Sequence, residues 1–251
     1  MSEARNRTAT PAAGLKGDWL NKERLRNLLN VRKPSEDEPA STIYLKPGDT
    51  AGSAEWRERL ARLGGTPEDG GCGLVGLRHG DRALIIAPPF PVTETREYGE
   101  WNDGPLWELV EKERLVGVVL VRLGRYSVAV YRGEELADSK TDSRYVKGKH
   151  HAGGTSQLRY TRIREGQMRK LYQKACETVR DKFEPLSREL DHIVLGGERF
   201  TLNGFLKDCP RMDGFKDITL KRRLNIRDPK RDALDDIGSV IHESRVWGID
   251  W

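Results

Sequence analysis

Gly153-Gly154-Thr155-Ser156-Gln157-Leu158-Arg159-Tyr160-Thr161-Arg162-Ile163-Arg164-Glu165 is the stretch on which the reading of the fold turns. It closes a long polar loop, Lys140 to Gln157, and opens a helix expected over Leu158 to Phe183. Loops of this length inside a compact domain are uncommon and usually functional. Glycine permits backbone shapes and close approaches that other residues forbid. The loop thus offers one carboxamide, Gln157, on a flexible tip. Its flanks carry Lys140, Arg144, Lys147, Lys149, Arg159, Arg162, Arg164, Arg169 and Lys170 against Asp142 and Glu165. A solvated helix face mixes signs more evenly, so Lys149, Arg159, Arg162 and Arg169 are candidates for phosphate contact. Tyr145 and Tyr160 are candidates for stacking on bases.

Before the loop, Val116 to Val121 is apolar throughout, which suits a strand covered on both faces. Tyr126 to Tyr131 and Glu134 to Ser139 follow it through Leu123-Gly124 and Arg132-Gly133 turns, giving a three-stranded meander. Ile163, Leu171, Ala175, Val179 and Phe183 supply the buried stripe of the long helix, which Pro185 ends. Ile193 to Leu195 reads as a strand, Phe200 to Leu206 as a helix, Ile218 to Leu224 as a strand and Asp232 to Glu243 as the last helix. The expected class is α/β, a mixed sheet with packed helices.

The N-terminal part divides differently. Residues 1–40 read as a polar tail, a short helix over Trp19 to Asn30 capped by Asp18, and a Pro/Ser/acidic linker. Residues 41–100 read as a small α+β domain. It has a strand at Ile43 to Leu45, a helix over Ala54 to Leu63, and a hairpin around His79-Gly80-Asp81. Residues 106–251 form the remaining domain.

The 251 residues carry a formal charge of +5, which permits nucleic acid as a partner. Cys72, Cys176 and Cys209 are odd in number and lack a CxxC pair. They are expected to be free thiols in a reducing cytoplasm, without a zinc knuckle or disulfide framework. No apolar run approaches the roughly 20 residues of a membrane helix, and the N-terminus has no apolar signal core. Gly71-Cys72-Gly73-Leu74-Val75-Gly76 fits a dinucleotide pattern but is followed by strand-type sequence where a helix is required. No phosphate-binding P-loop, zinc-protease motif or serine-hydrolase elbow is present. His150-His151 alone is a poor metal site, and no metal or cofactor is expected. The remaining histidines and Trp101, Trp107, Trp247 and Trp251 read as packing residues, and Asp235-Asp236 as helix-surface charge.

Gly153-Gly154-Thr155-Ser156-Gln157, with Arg159-Tyr160, Arg162 and Arg164-Glu165 after it, resembles the catalytic loop of release-factor-like proteins. It is similar to the central domain of archaeal and eukaryotic class-1 peptide-chain release factors. It looks closer still to the VLRF-type peptidyl-tRNA hydrolases of ribosome quality control, whose loop reads Gly-x-Ser-Gln or Gly-Ser-Gln. The resemblance implies an RNase-H-like central domain. It implies action on peptidyl-tRNA held in the large ribosomal subunit, by a cytoplasmic monomer with no membrane partner. Gln157 would be the catalytic residue, Gly153 and Gly154 would allow close approach, and Ser156 would assist. Lys149, Arg159, Arg162, Arg164, Arg169 and Lys170 would hold RNA. In one departure, Thr155-Ser156 stands where release factors carry glycines, and neither residue reaches glycine-only angles cheaply. Two other functions fit the same residues: cleavage of the tRNA near its 3′ end, with Arg159 or Arg162 facing the phosphate, and a non-catalytic ribosome- or RNA-binding module.

Overall fold

The computed structural model describes residues 17–35, 38–49, 52–62, 70–148 and 155–251. The elements begin with β1 (Asp18–Leu20), α1 (Lys22–Arg32), β2 (Ala40–Leu45), α2 (Ala54–Arg62), β3 (Leu74–His79), β4 (Arg82–Ala87), β5 (Arg96–Tyr98) and α3 (Gly104–Glu111). They continue with β6 (Leu115–Arg122), β7 (Arg125–Arg132), β8 (Glu135–Ser143), α4 (Thr155–Phe183), β9 (His192–Gly196), α5 (Arg199–Asp208), β10 (Thr219–Leu224), α6 (Ala233–Ile241) and β11 (Ser244–Asp250). The chain forms two compact units.

Unit 1 holds a six-stranded antiparallel sheet in the order β1-β11-β4-β3-β2-β5. Alternation along β2 and β4 sends Ile43, Leu45, Ala83, Ile85 and Ala87 to one face, where Trp56 of α2 and Trp247 of β11 complete a core. α1 buries Leu25 and Leu29. Its N-cap is Asn21, whose side chain accepts the Arg24 N–H at 2.9 Å. Asp18, the cap expected from sequence, lies instead in β1, paired with Val246. The first and last described strands therefore pair in one sheet. The expected catalytic domain ran to residue 251, but β11 pairs with β4 from Arg245↔Ala87 to Asp250↔Arg82. The last eight residues thus belong to unit 1. Leu74–His79 is a strand, as the rejection of a dinucleotide fingerprint requires.

Unit 2 is an α/β layer structure whose five-stranded sheet runs β10-β9-β6-β7-β8. The meander β6-β7-β8 is antiparallel, and β9 and β10 add on parallel to β6. This is the mixed, RNase-H-like arrangement that the resemblance implied. Val119, Val121, Tyr126 and Val128 face a core completed by Leu171, Ala175, Val179 and Phe183 of α4 and by Leu202 and Phe205 of α5. On the opposite face Tyr131 donates its hydroxyl to the Leu234 carbonyl of α6 at 2.7 Å. β6 is thus buried on both sides, which explains its unbroken apolar run. Gly117 lets Phe183 close onto the sheet, since a Cβ there would lie 2.7 Å from the phenyl ring.

Cys176 of α4 and Cys209 at the end of α5 form a disulfide, with Cα atoms 5.3 Å apart. This corrects the expectation of three free thiols; Cys72 is buried and takes part in no disulfide among the described residues. The cysteines are 33 residues apart in sequence and meet only because α4 and α5 cover the same face of the sheet.

Candidate functional site

β6, β8, β9 and β10 run in one direction, so their carboxyl ends share one end of unit 2. Ligands of open α/β sheets bind at that end. The connection from β8 to α4 leaves from it. β8 extends to Ser143, so the loop begins later than the sequence suggested. Gly153, Gly154 and Lys149 lie outside the described residues, as do the side chains of Thr155 and Ser156.

α4 starts at Thr155, so Gln157 is in the first helical turn and not on a loop tip. A helical start is open to Thr and Ser, and among the described residues no non-glycine has a positive φ. The glycine-only angles at issue for Thr155 and Ser156 are therefore not needed. Gln157 is exposed, and its carbonyl accepts the Thr161 hydroxyl at 3.0 Å. The backbone N–H groups of this first turn have no acceptor within the helix.

Every residue from Gln157 to Ile163 is exposed, and burial begins at Met168. Gln157 thus stands about 16 Å along the axis from the first buried residue of its helix. Ile163, expected in the buried stripe, is 41% exposed, and Leu158 is 64% exposed. The period of the pattern was right, but the packed core of unit 2 begins only at Met168, past the first turns of the helix.

At 3.6 residues per turn, Gln157 falls on the same side of α4 as Arg164, Met168, Leu171 and Ala175. Arg159, Arg162, Arg169 and Lys170 fall on the opposite side. All four are exposed, and among the described residues none has a carboxylate at ion-pair distance. Nearer the C-terminus of α4, cations are paired: Lys174 with Glu177 at 2.6 Å, and Lys182 with Asp138 at 2.6 Å. Among the described residues, the α4 cations without a carboxylate at ion-pair distance lie between Arg159 and Lys170.

Arg164 is placed differently from the other four cations. It is half-buried, and its Nε donates to the Lys147 carbonyl at 3.1 Å. Lys147 also donates its backbone N–H to Gln167 Oε1 at 2.9 Å, and its ammonium lies 4.1 Å from the Tyr160 ring centre. Arg164 therefore braces the loop stem, and one face of Tyr160 is covered. Tyr145, 77% exposed, is open for stacking. Gln167 was missed from sequence, and Lys147 was read only as one of the flanking cations. A polar Gln on a charged helix gives no signal until the stem is seen to fold back on it.

The family described as Actinobacteria/chloroflexi VLRF1 release factor matches residues 114–246, more than half of the chain. Peptide chain release factor subunit 1 of Methanopyrus kandleri is 32% identical over 160 residues, 59% of this chain and 38% of its own length. The same factor of Methanosphaera stadtmanae is 32% identical over 196 residues, 72% of this chain and 47% of its own. The chain spans less than half the length of these relatives. The crystal structure of the archaeal translation termination factor aRF1 aligns over 89% of this chain and 73% of its own, with a TM-score of 0.41 and 16% identity. The matched segment contains the whole of unit 2's sheet, the glutamine and its basic helix. The chain belongs to the VLRF1 release factor family.

Proposed function

We propose that this chain is a cytoplasmic peptidyl-tRNA hydrolase that frees nascent chains stalled on the large ribosomal subunit. The observation that carries the reading is the exposed Gln157 in the first turn of α4, whose other side holds four exposed cations with no carboxylate at ion-pair distance among the described residues. Arg159, Arg162, Arg169 and Lys170 bind ribosomal or transfer RNA phosphates on that side, and Lys149 and Arg164 add further RNA contacts. The opposite side of α4 then presents Gln157 to the acceptor end of the tRNA.

The bond broken is the ester between the peptide and the terminal ribose. A neutral carboxamide is a poor base, but its oxygen accepts from a water and its NH₂ donates. Gln157 therefore positions the attacking water, and first-turn backbone N–H groups face the developing oxyanion. Gly153, Gly154 and Ser156 shape the approach. Most of the acceleration comes from placement. Incubation with stalled large-subunit complexes tests the reading: wild type releases peptide, and Gln157→Ala binds but does not release.

A nuclease reading draws on Arg159, two residues from Gln157 and unpaired, as a group able to stabilise charge on a phosphorane. Sequencing the 3′ end of the released tRNA separates the two. An intact CCA end supports ester hydrolysis, and a shortened end supports cleavage of the RNA.

A further inference from the structure

We propose that unit 1 carries its own RNA site, a groove between α1 and the β1–β11–β4 side of its sheet that takes the phosphate backbone of a single strand. The groove has a volume of about 710 Å³, and a smaller recess of about 270 Å³ shares Arg32, Leu84 and Gly248 with it. Arg24 and Arg32 line it from α1, and Arg82, at the start of β4, lines the recess. Arg24 and Arg32 lie eight residues apart on one side of the helix, on the order of 12 Å along its axis. Among the described residues, none of the three guanidinium groups has a carboxylate at ion-pair distance.

Asp18 and Asp250 also line the groove and recess, so the cations outnumber the acids. The rim residue His79 senses the same field. Burial lowers its pKa first, and the charges of Arg32 and Arg82 push it further down against Glu38. Apolar side chains of Leu28, Leu84 and Val246 also line the groove, with Trp19, 44% exposed, whose ring has the Arg245 guanidinium 5.6 Å from its centre. Cations beside an aromatic ring suit a strand whose phosphates pair with arginine while a base stacks. An acidic peptide would satisfy the arginines but leave the apolar strip uncovered.

This site is distinct from α4 and does not depend on Gln157. The test uses the full chain with Arg162→Glu and Arg169→Glu in place, to remove binding by α4. The probe is a fluorescent 12-residue oligouridylate containing 4-thiouridine, read by anisotropy across a salt series and by mapping of the cross-linked peptide. The expected cross-link falls on the segment containing Trp19 or on β11. Adding Arg24→Glu and Arg32→Glu weakens binding at least tenfold and lowers the salt slope by roughly 1.4, about 0.7 for each lost contact. Arg24→Lys and Arg32→Lys retain most of the affinity, and thermal unfolding confirms that each variant is folded. The neutral pair Arg24→Gln and Arg32→Gln serves if the charge reversal does not fold. Three results would overturn the proposal: unchanged affinity in the reversed variant, cross-links confined to residues 140–170, or polyglutamate displacing the RNA at equal charge concentration. Loss of peptide release in Gln157→Ala leaves RNA binding at this groove unchanged, so the two readings fail separately.

Discussion

The backbone N–H of Lys147 donates to Gln167 Oε1 at 2.9 Å, which ties the strand-to-helix connection to the fourth turn of α4. The Arg164 Nε bond to the Lys147 carbonyl and the Lys147 ammonium over Tyr160 complete a three-point clamp. The clamp fixes the stem of the β8–α4 connection relative to the helix that carries Gln157. Both ends of that connection are thus held to one element.

Gln167→Ala removes the acceptor of that bond. The bond is part-buried, and a net hydrogen bond of this kind contributes on the order of 1 kcal/mol. The fold should survive with a small fall in melting temperature. Peptide release should slow by roughly 10- to 100-fold, because small misplacements of a positioning group have effects of that size. Single-turnover release beside urea unfolding separates the two effects. An unchanged release rate removes the clamp from the mechanism.

Gly166 sits inside α4, with nothing within 4 Å of where a Cβ would lie. Glycine in a helix interior is unfavourable by about 1 kcal/mol relative to alanine, and here no packing contact explains it. Gly166→Ala should stabilise the protein by roughly 0.5–1 kcal/mol, a rise of a few degrees in melting temperature by calorimetry. A fall in melting temperature would show that the backbone at Gly166 departs from helix in solution.

The Cys176–Cys209 disulfide closes a loop between cysteines 33 residues apart. Restricting an unfolded chain over that length contributes about 3–4 kcal/mol in the chain-entropy model. Reduction, or Cys176→Ser with Cys209→Ser, should lower the unfolding free energy by about that amount, read from denaturant titration. An equal stability in the reduced protein would mean that the bond does not form in solution.

Much of unit 2 is legible in sequence because its signals are local. The apolar run of β6, the glycine turns of the meander and the 3.6-residue stripe from Leu171 to Phe183 each report one element. Three features were not legible. β1 has three residues, and β11 pairs with it and with β4 across most of the chain, so no local pattern announces their pairing. Cys176 and Cys209 are adjacent only after two helices pack on one face. Ile163 keeps the spacing of a core residue, and only the end of the sheet beneath it leaves it exposed. At the site, Gln157 and the four outward cations were legible as residue types, but their separation onto opposite sides of α4 depends on the helix starting at Thr155.

His192 is neutral in the fold. Burial lowers its pKa to about 4, and the Arg114 and Lys112 charges act in the same direction against Asp191. The unfolded chain takes up the proton near pH 6.5, and the folded chain does so only near pH 4. Stability from this group is therefore complete above pH 6.5 and is lost as pH falls from 6.5 to 4. The loss should be on the order of 2–3 kcal/mol, allowing for partial solvent access. Melting curves across that interval should flatten in His192→Gln, and an unchanged slope would assign the acid loss to other groups.

The most direct test of the central claim is single-turnover release of a labelled nascent chain from stalled large-subunit complexes, with binding measured on the same sample. Wild type should release the chain. Gln157→Ala should bind with the same affinity and release it at least about 100-fold more slowly, the scale of removing a positioned polar group from a reaction site. Release by Gln157→Ala at the wild-type rate would contradict the assignment of Gln157 as the residue that places the water.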